Sequence, residues 1–583
     1  MRVLFVMRHS GYVRNFESTL RMLCDRGHRV HVAFQITGRH TLLDPVDTPR
    51  QLAERYSNFS HGEIPIRTDG WGTLARELRL DIDYLRYLGP EYREAPKLRE
   101  RATRGVSPVI LARTAQGVGA TALGRAAIAT WLRLMNRAIP RDPAIDAFMA
   151  KMRPDVLAVT PLIESGAPQA EIVRSARALG VRTALCVASW DNLTNKGLIH
   201  GPVDLVAVWN ETMKREVVEL HGIRPGDVAI TGAAAFDHWF DWRACTTREE
   251  FCRRVGLPCD RPYILYLCSS KFIAPEEVPF VRRWAQQLRQ SSSAALRDVG
   301  ILVRPHPQNA DQWAGADLSG LGDIAVWPPE GAIPVDEASR SEYFDSMYHS
   351  AAVVGVNTTA EIESAILGRP VFTVLAPEFR DTQEGTLHFH HLRDVNGGLV
   401  HVAGDFAEHV AQLDSAVQAP NGGDGRCRRF VEAFVRPYGI DVPATPRLVD
   451  ALEGLARRPA RAHREPVWAP LLRPRLARRS AEIDRRALTE AARRTVIRLK
   501  RRARKAELRA RAAERALEEA EKRARRAAVL QARELHTMPA LVDGLIKRAA
   551  AVVTEARTLT RRCWRRVEKV AVRDKADGTE GSR

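Results

Sequence analysis

No apolar run in this chain approaches the roughly 20 residues that a membrane-spanning helix requires. The opening residues, MRVLFVMRHSG, hold too short an apolar stretch, and no small-residue cleavage site, for a secretory leader. A soluble, cytoplasmic chain is expected. The eight cysteines, at positions 24, 186, 245, 252, 259, 268, 427 and 563, include no CxxC pair and no histidine at metal spacing. That argues against a disulfide framework and against a structural zinc site. No acidic cluster such as DxD stands at the end of an expected strand, so neither a metal nor a cofactor is invoked.

Acid to balance the basic residues is missing from one region only. Residues 461–583 carry 35 Lys and Arg against 16 Asp and Glu, whereas the first 460 residues carry 54 of each. The net charge of +19 therefore belongs to the tail. Its run KRRARKAELRARAAERALEEAEKRARRAAVL favours a long helix over a packed domain. Large apolar residues do not sustain a heptad at positions a and d, which leaves a coiled coil as the lesser alternative. A solvated helical extension, a contact with an anionic membrane surface at the inner face of the membrane, and a nucleic-acid contact are the three uses of such a tail. The scarcity of aromatics among its basic residues argues against nucleic acid.

The neutral body alternates strands with helices. RVLFVMR, HRVHVAF, DVLAVT, TALCVAS, LVAVW and VAITGA read as strands of a first half, with amphipathic helices such as YVRNFESTLRMLCDRG between them. RPYILYLCSS, DVGILVRPHP, DIAVWPP, AVVGVN and RPVFTVLAP read as strands of a second half. The expected organisation is 1–240 and 241–440 as two Rossmann-like α/β domains with parallel sheets facing a cleft, 441–460 as a returning helix, and 461–583 as a basic helical tail. Within the second half, GVNTTAEIESAILGRPVFTV reads as a strand end, a small polar turn, a short helix and a new strand. Thr358 and Glu361 match a capping box, Gly368 suits the left-handed stop, and Pro370 cannot continue the helix. A helix N-terminus beyond a parallel strand is where a phosphate binds in open sheets.

Three of these stretches carry a resemblance. His9-Ser10-Gly11 after the first strand followed by a helix ending in RGHRV, the run NTTAEIESAILGRPVF, and the motif VRPHP together resemble the GT-B fold of nucleotide-sugar glycosyltransferases and the related UDP-N-acetylglucosamine 2-epimerases. VRPHP is similar to the His-Pro motif of bacterial surface-polymer transferases, including sialyl- and glycerophosphotransferases. The resemblance implies an enzyme that transfers a sugar or polyol-phosphate from a nucleotide-activated donor to a hydroxyl or glycan acceptor, in bacterial cell-surface polysaccharide synthesis. It also implies a donor-ribose role for Glu363, which lies at the family's spacing before Gly368. An epimerase acting on the nucleotide sugar alone is one alternative, disfavoured because Val-Asn-Thr-Thr stands where that family has Asp-Ser-Gly-Gly. A noncatalytic scaffold working through its basic tail is another.

On the donor side the candidates are Ser269, Ser270 and Lys271 after one strand, Arg304 and His306 after the next, and Asn357, Thr358, Thr359 and Glu363. His306 is placed to touch the donor phosphate or to protonate the leaving oxygen. On the acceptor side SWDNLTNKG places Asp191, Asn192 and Lys196 at a strand's carboxyl edge. Asp191 is a candidate base, with His9 and Glu164 as alternatives.

Overall fold

The run RVLFVM forms β1 (Arg2–Met7) with every residue but the first buried. β2 (Arg29–Phe34), β3 (Phe59–Glu63), β4 (Val156–Thr160), β5 (Arg182–Cys186), β6 (Leu205–Val208) and β7 (Val228–Ile230) complete a seven-stranded sheet in the order β3-β2-β1-β4-β5-β6-β7. A second sheet of six strands follows: β8 (Tyr263–Leu267), β9 (Gly300–Arg304), β10 (Ile324–Val326), β11 (Ala352–Gly355), β12 (Val371–Val374) and β13 (Val400–Ala403), ordered β10-β9-β8-β11-β12-β13. Every strand pair is parallel. Helices cover both faces, so the inner strands are continuously apolar rather than alternating. The computed structural model describes residues 1–35, 47–334, 336–418, 425–460 and 463–531, with scattered helical positions from 543 to 561.

In both sheets the strand order reverses at one point, between β1 and β4 and between β8 and β11. The crevice beyond the carboxyl ends at such a reversal is the ligand position of doubly wound sheets. The loops that leave these four strands begin at Arg8, Pro161, Cys268 and Val356. They therefore bring His9, Glu164, Ser269 to Lys271 and Asn357 to Thr359 to the two reversal points.

Between β3 and β4 the first domain carries a helical insertion that includes Gly70–Tyr87, Ala122–Ala138 and Pro143–Met152. After the second sheet the chain crosses back, and the helix Ala444–Arg457 buries Leu448, Val449, Leu452 and Leu455 in the first domain's core with Leu20 and Leu23. Asp237 fixes the start of that helix: its carboxylate accepts from the Ala444 and Thr445 N–H groups at 3.0 and 2.7 Å and from Arg436 at 3.0 Å. Two parallel doubly wound sheets with a terminal helix returning to the first make this a GT-B arrangement.

The first compact unit extends to Leu476, beyond the 460/461 boundary expected from composition. The reason is local. The His463 N–H donates to the Arg177 carbonyl at 3.1 Å, and Arg473 Nε donates to the Ala138 carbonyl at 3.1 Å. The second unit, 477–583, contains most of the helix Ala469–Gln531. Its buried side chains among the described residues are small, namely Ser480, Ala503 and Ala510. Glu482–Arg486, Glu490–Arg494 and Glu507–Arg511 pairs run along it at i,i+4 spacing and favour the helix. Among the described residues no helix is long and apolar enough to cross a membrane.

Candidate active site between the two sheets

The turn after β11 leads into the helix Thr359–Ile366, and its two glutamates take opposite parts. Glu361 is fully buried and its carboxylate accepts the Thr358 N–H at 2.9 Å, closing the helix start. A Cβ on residue 355 would lie 2.6 Å from Glu361 Oε1, so only glycine at the end of β11 leaves the carboxyl its place. Burial pushes Glu361 up to about 8.

Glu363 lies two residues on and accepts a hydrogen bond from the Tyr343 hydroxyl at 2.5 Å. Burial raises its pKa; the Tyr343 bond and the cations of Arg14 and Arg304 work the other way. Those two cations come from different domains, Arg14 from the loop after β1 and Arg304 from the end of β9. The Arg304 guanidinium lies over the Tyr343 ring, 4.6 Å from its centroid, and the residue is only 5% exposed. Its Nη1 is buried without a hydrogen-bond partner among the described residues. Burial lowers its pKa, against the attraction of Tyr343, Glu342 and Glu363. Sequence reasoning placed Arg304 here but missed Tyr343, which sits on a helix between strands and carries no motif.

The other donor-side candidates divide. Ser269 is fully buried and its N–H donates to both oxygens of Glu277 at 3.1 Å, so it is not open to a diphosphate, contrary to expectation. The cause is Glu277 itself, a buried carboxyl pushed up to about 8 by desolvation that also accepts from Tyr266 at 3.1 Å and needs those donors. The Ser270 carbonyl accepts from the Ile273 and Ala274 N–H groups at 2.9 and 3.0 Å, and Lys271 is exposed. Asn357 is buried too, and its amide donates to the Thr382 carbonyl at 3.3 Å and to the Thr386 hydroxyl at 3.0 Å. It shapes the turn from beneath and leaves Thr358 and Thr359 as the half-buried residues at the helix start.

His306 occupies the loop after β9, held by Gly331, where a Cβ would come within 3.2 Å of the His306 backbone carbonyl. Its Nδ1 accepts the Gln308 N–H at 3.1 Å, which puts the ring proton on Nε2. Burial lowers its pKa. The ring is therefore neutral at pH 7 and offers an N–H, a donor for phosphate oxygen rather than a store of an acidic proton.

On the first domain, Asp191 accepts from Ser189 Oγ at 2.6 Å, Asn192 Nδ2 at 3.1 Å and Asn195 Nδ2 at 3.3 Å. Burial opposes its charge, but the Lys196 cation and the hydrogen bonds from Ser189 and Asn195 outweigh burial and hold the carboxyl below the ordinary range. Glu164 is engaged by Arg8 in an ion pair that spans the strand-order reversal from β4 to β1. The His9 ring packs 4.8 Å from Tyr12. The Tyr12 phenol is raised by burial, with Arg8 lowering it and Asp191 raising it further. Asp83 on the helix Gly70–Tyr87 ties this edge together: it accepts from the Gly166 and Leu198 N–H groups at 2.8 and 2.7 Å and lies 2.7 Å from His200 Nε2.

The two halves touch here. Trp190 Nε1 donates to the Thr359 hydroxyl at 3.0 Å, joining the residue before Asp191 to the first residue of the helix Thr359–Ile366. His388 packs edge-on against Trp190, with Nε2 3.3 Å from the Asn357 amide nitrogen and Nδ1 3.5 Å from that of Asn195. Burial drives its pKa down to about 3, so it is a neutral bridge. His388 was not a sequence candidate, although the histidine-rich run LHFHH was there to be noticed. Among the described residues no group of three or more His, Cys, Asp or Glu is arranged to hold a metal ion.

No family model matches the chain, and no curated protein does. Among solved structures it is similar to a UDP-GlcNAc 2-epimerase from Neisseria meningitidis bound to UDP-GlcNAc, with 12% identity and a TM-score of 0.43 over 78% of this chain and 100% of that one. It is similar to a glycosyltransferase from Rickettsia africae, with 10% identity and a TM-score of 0.43 over 78% and 99%. It is also similar to a wall teichoic acid polymerase soaked with CDPG, with 10% identity and a TM-score of 0.39 over 78% and 88%.

Proposed function

We propose that the chain transfers a sugar or polyol-phosphate from a nucleotide-activated donor to a hydroxyl acceptor. The observation that carries this reading is Arg304: a buried cation with an unpartnered Nη1 beside the half-buried carboxyl of Glu363, at the mouth of the second sheet. A buried charge without an ion-pair partner is costly, and such groups mark places where a ligand supplies the opposite charge. Arg304, the start of the helix Thr359–Ile366 and the His306 Nε2–H receive the donor phosphate, while Glu363 accepts hydrogen bonds from the ribose. The leaving phosphate is stabilised by positioning and charge rather than by a strong acid.

Asp191 is the base that takes the acceptor's proton, and it is ionised across the working pH range because its carboxyl is held low. Lys196 orients an anionic part of the acceptor. Glu164 is tied to Arg8 and serves that loop instead. The basic tail, 461–583, holds the enzyme at an anionic membrane surface, where a surface-polymer acceptor would reside.

The test is calorimetric titration and turnover with a panel of UDP, CDP, CMP and GDP sugars. Glu363→Ala is expected to weaken binding of the preferred nucleotide by about tenfold to a hundredfold. Conversion of the nucleotide sugar with no acceptor present would instead identify an epimerase. Absence of binding by every nucleotide would leave the scaffold reading.

A further inference from the structure

A cavity of about 1480 Å³ opens in the first domain; it reaches Leu198 and His200 behind the acceptor edge, but none of the candidate catalytic or donor-binding residues lines it. Arg182, Asp204 and Asp227 line it and stand at the amino ends of β5, β6 and β7, the edge opposite to Asp191. It is larger than the roughly 300–1,000 Å³ of ordinary small-molecule pockets. Twelve arginines line it against five acidic side chains. Five of the arginines are already ion-paired, Arg177 with Asp204, Arg224 with Asp227, Arg79 and Arg174 with Glu171, and Arg141 with Asp146, and Glu465 is taken by Arg473; Arg133 and Arg137 are not among them.

The source of the imbalance is a stretch of sequence. Residues 101–141 contain seven arginines and no Asp or Glu. Arg133 and Arg137, one turn apart on the helix Ala122–Ala138, reach the cavity with no ion pair among the described residues. His463 lines it as well, carried in by the segment that follows the return helix. Like charges brought together in a concave wall repel, which favours loss of a proton or arrival of an anion. Arg133 is lowered by burial and by Arg137, and His463 is lowered by burial and then by Arg177 and Arg137. Planar guanidinium forks in a concave wall match the geometry of phosphoryl oxygens, and a concave site of one sign concentrates ligands of the other.

We propose that this arginine-lined cavity is a second ligand site, separate from the interdomain cleft, that binds a phosphorylated polyanion. Arg133 and Arg137 supply free guanidinium donors to it, and Arg458, Pro459 and the residues from His463 to Pro466 form part of its wall. The site does not depend on the nucleotide reading of the cleft.

Inorganic tripolyphosphate is the probe, titrated calorimetrically into the full-length chain and into the double variant Arg133→Gln, Arg137→Gln. Both positions are on the helix surface, and the thermal melt of the variant checks its fold. The native chain is expected to bind saturably, with affinity falling as salt rises, and the variant to bind roughly tenfold to a hundredfold more weakly. A parallel arm uses monomeric dihexanoyl phosphatidylglycerol below its micelle concentration, a headgroup that offers the basic tail no surface. If the native chain binds it and the variant does not, the phosphoryl group is a lipid headgroup; if neither binds it, the ligand is soluble. No saturable tripolyphosphate binding, or equal binding by a folded variant, would overturn the proposal.

Discussion

Replacing Arg304 with glutamine should separate stability from binding, with the two moving in opposite directions. In the free protein the guanidinium is withdrawn from water at 5% exposure, with a tyrosine ring at 4.6 Å as its main compensation. Burying an ion costs several kcal/mol, and a desolvated cation–π contact returns about 2 kcal/mol. Glu363 and Glu342 recover part of the rest by longer-range attraction. Arg304→Gln should therefore leave the ligand-free protein as stable as before or more stable by about 1 kcal/mol. In a chain of this size that raises the apparent Tm by no more than about 2 °C. Nucleotide binding should lose a charge-assisted contact worth about 1.5–3 kcal/mol, a weakening of roughly tenfold to 150-fold. The assays are a fluorescence-detected melt at one fixed scan rate, since a multidomain protein does not give an equilibrium Tm, and calorimetric titration. A fall in apparent Tm of more than about 4 °C with unchanged affinity would refute the reasoning, because Arg304 would then be a structural cation satisfied by Tyr343 alone.

Asp191→Asn should keep donor affinity and slow transfer by about two to four powers of ten; full activity would move the base to His9, for which His9→Ala is the control. Glu277 and Glu361 are raised from 4.5 to about 8, so the folded chain keeps protons that the unfolded chain releases. Their contribution to stability is complete below about pH 4.5 and is lost as pH rises through about 8. Glu277→Gln should accordingly flatten the decline of apparent Tm between about pH 5 and pH 8, and an unchanged slope would show that this carboxyl ionises normally. A chain ending at Leu476 should keep the body's cooperative melt and lose binding to anionic vesicles at low salt; equal vesicle binding by both chains would remove the tail from that role.

What the sequence determined by itself was everything that depends on local pattern. Continuous apolar, β-branched runs separated by amphipathic helices read as parallel strands with crossovers, so the strands at both reversal points were legible; the edge strands β3, FSHGE and mostly exposed, and β13, VHVA, were not. The cap at Glu361 was legible for the same reason, since a capping box is a four-residue event. The charge division was legible because it is a sum. The tertiary structure decided what each polar residue at a strand end faces. Ser269 and Thr359 look alike in sequence, yet one is turned inward to satisfy Glu277 and the other meets Trp190 from the opposite domain. Tyr343 and His388 owe their places at the site to packing between elements far apart in the chain, and no local spacing encodes that. The unpaired state of Arg304, and the gathering of Arg137 and His463 at one cavity from more than three hundred residues apart, exist only once the chain is folded, because burial and distance set the cost of a charge and sequence sets neither.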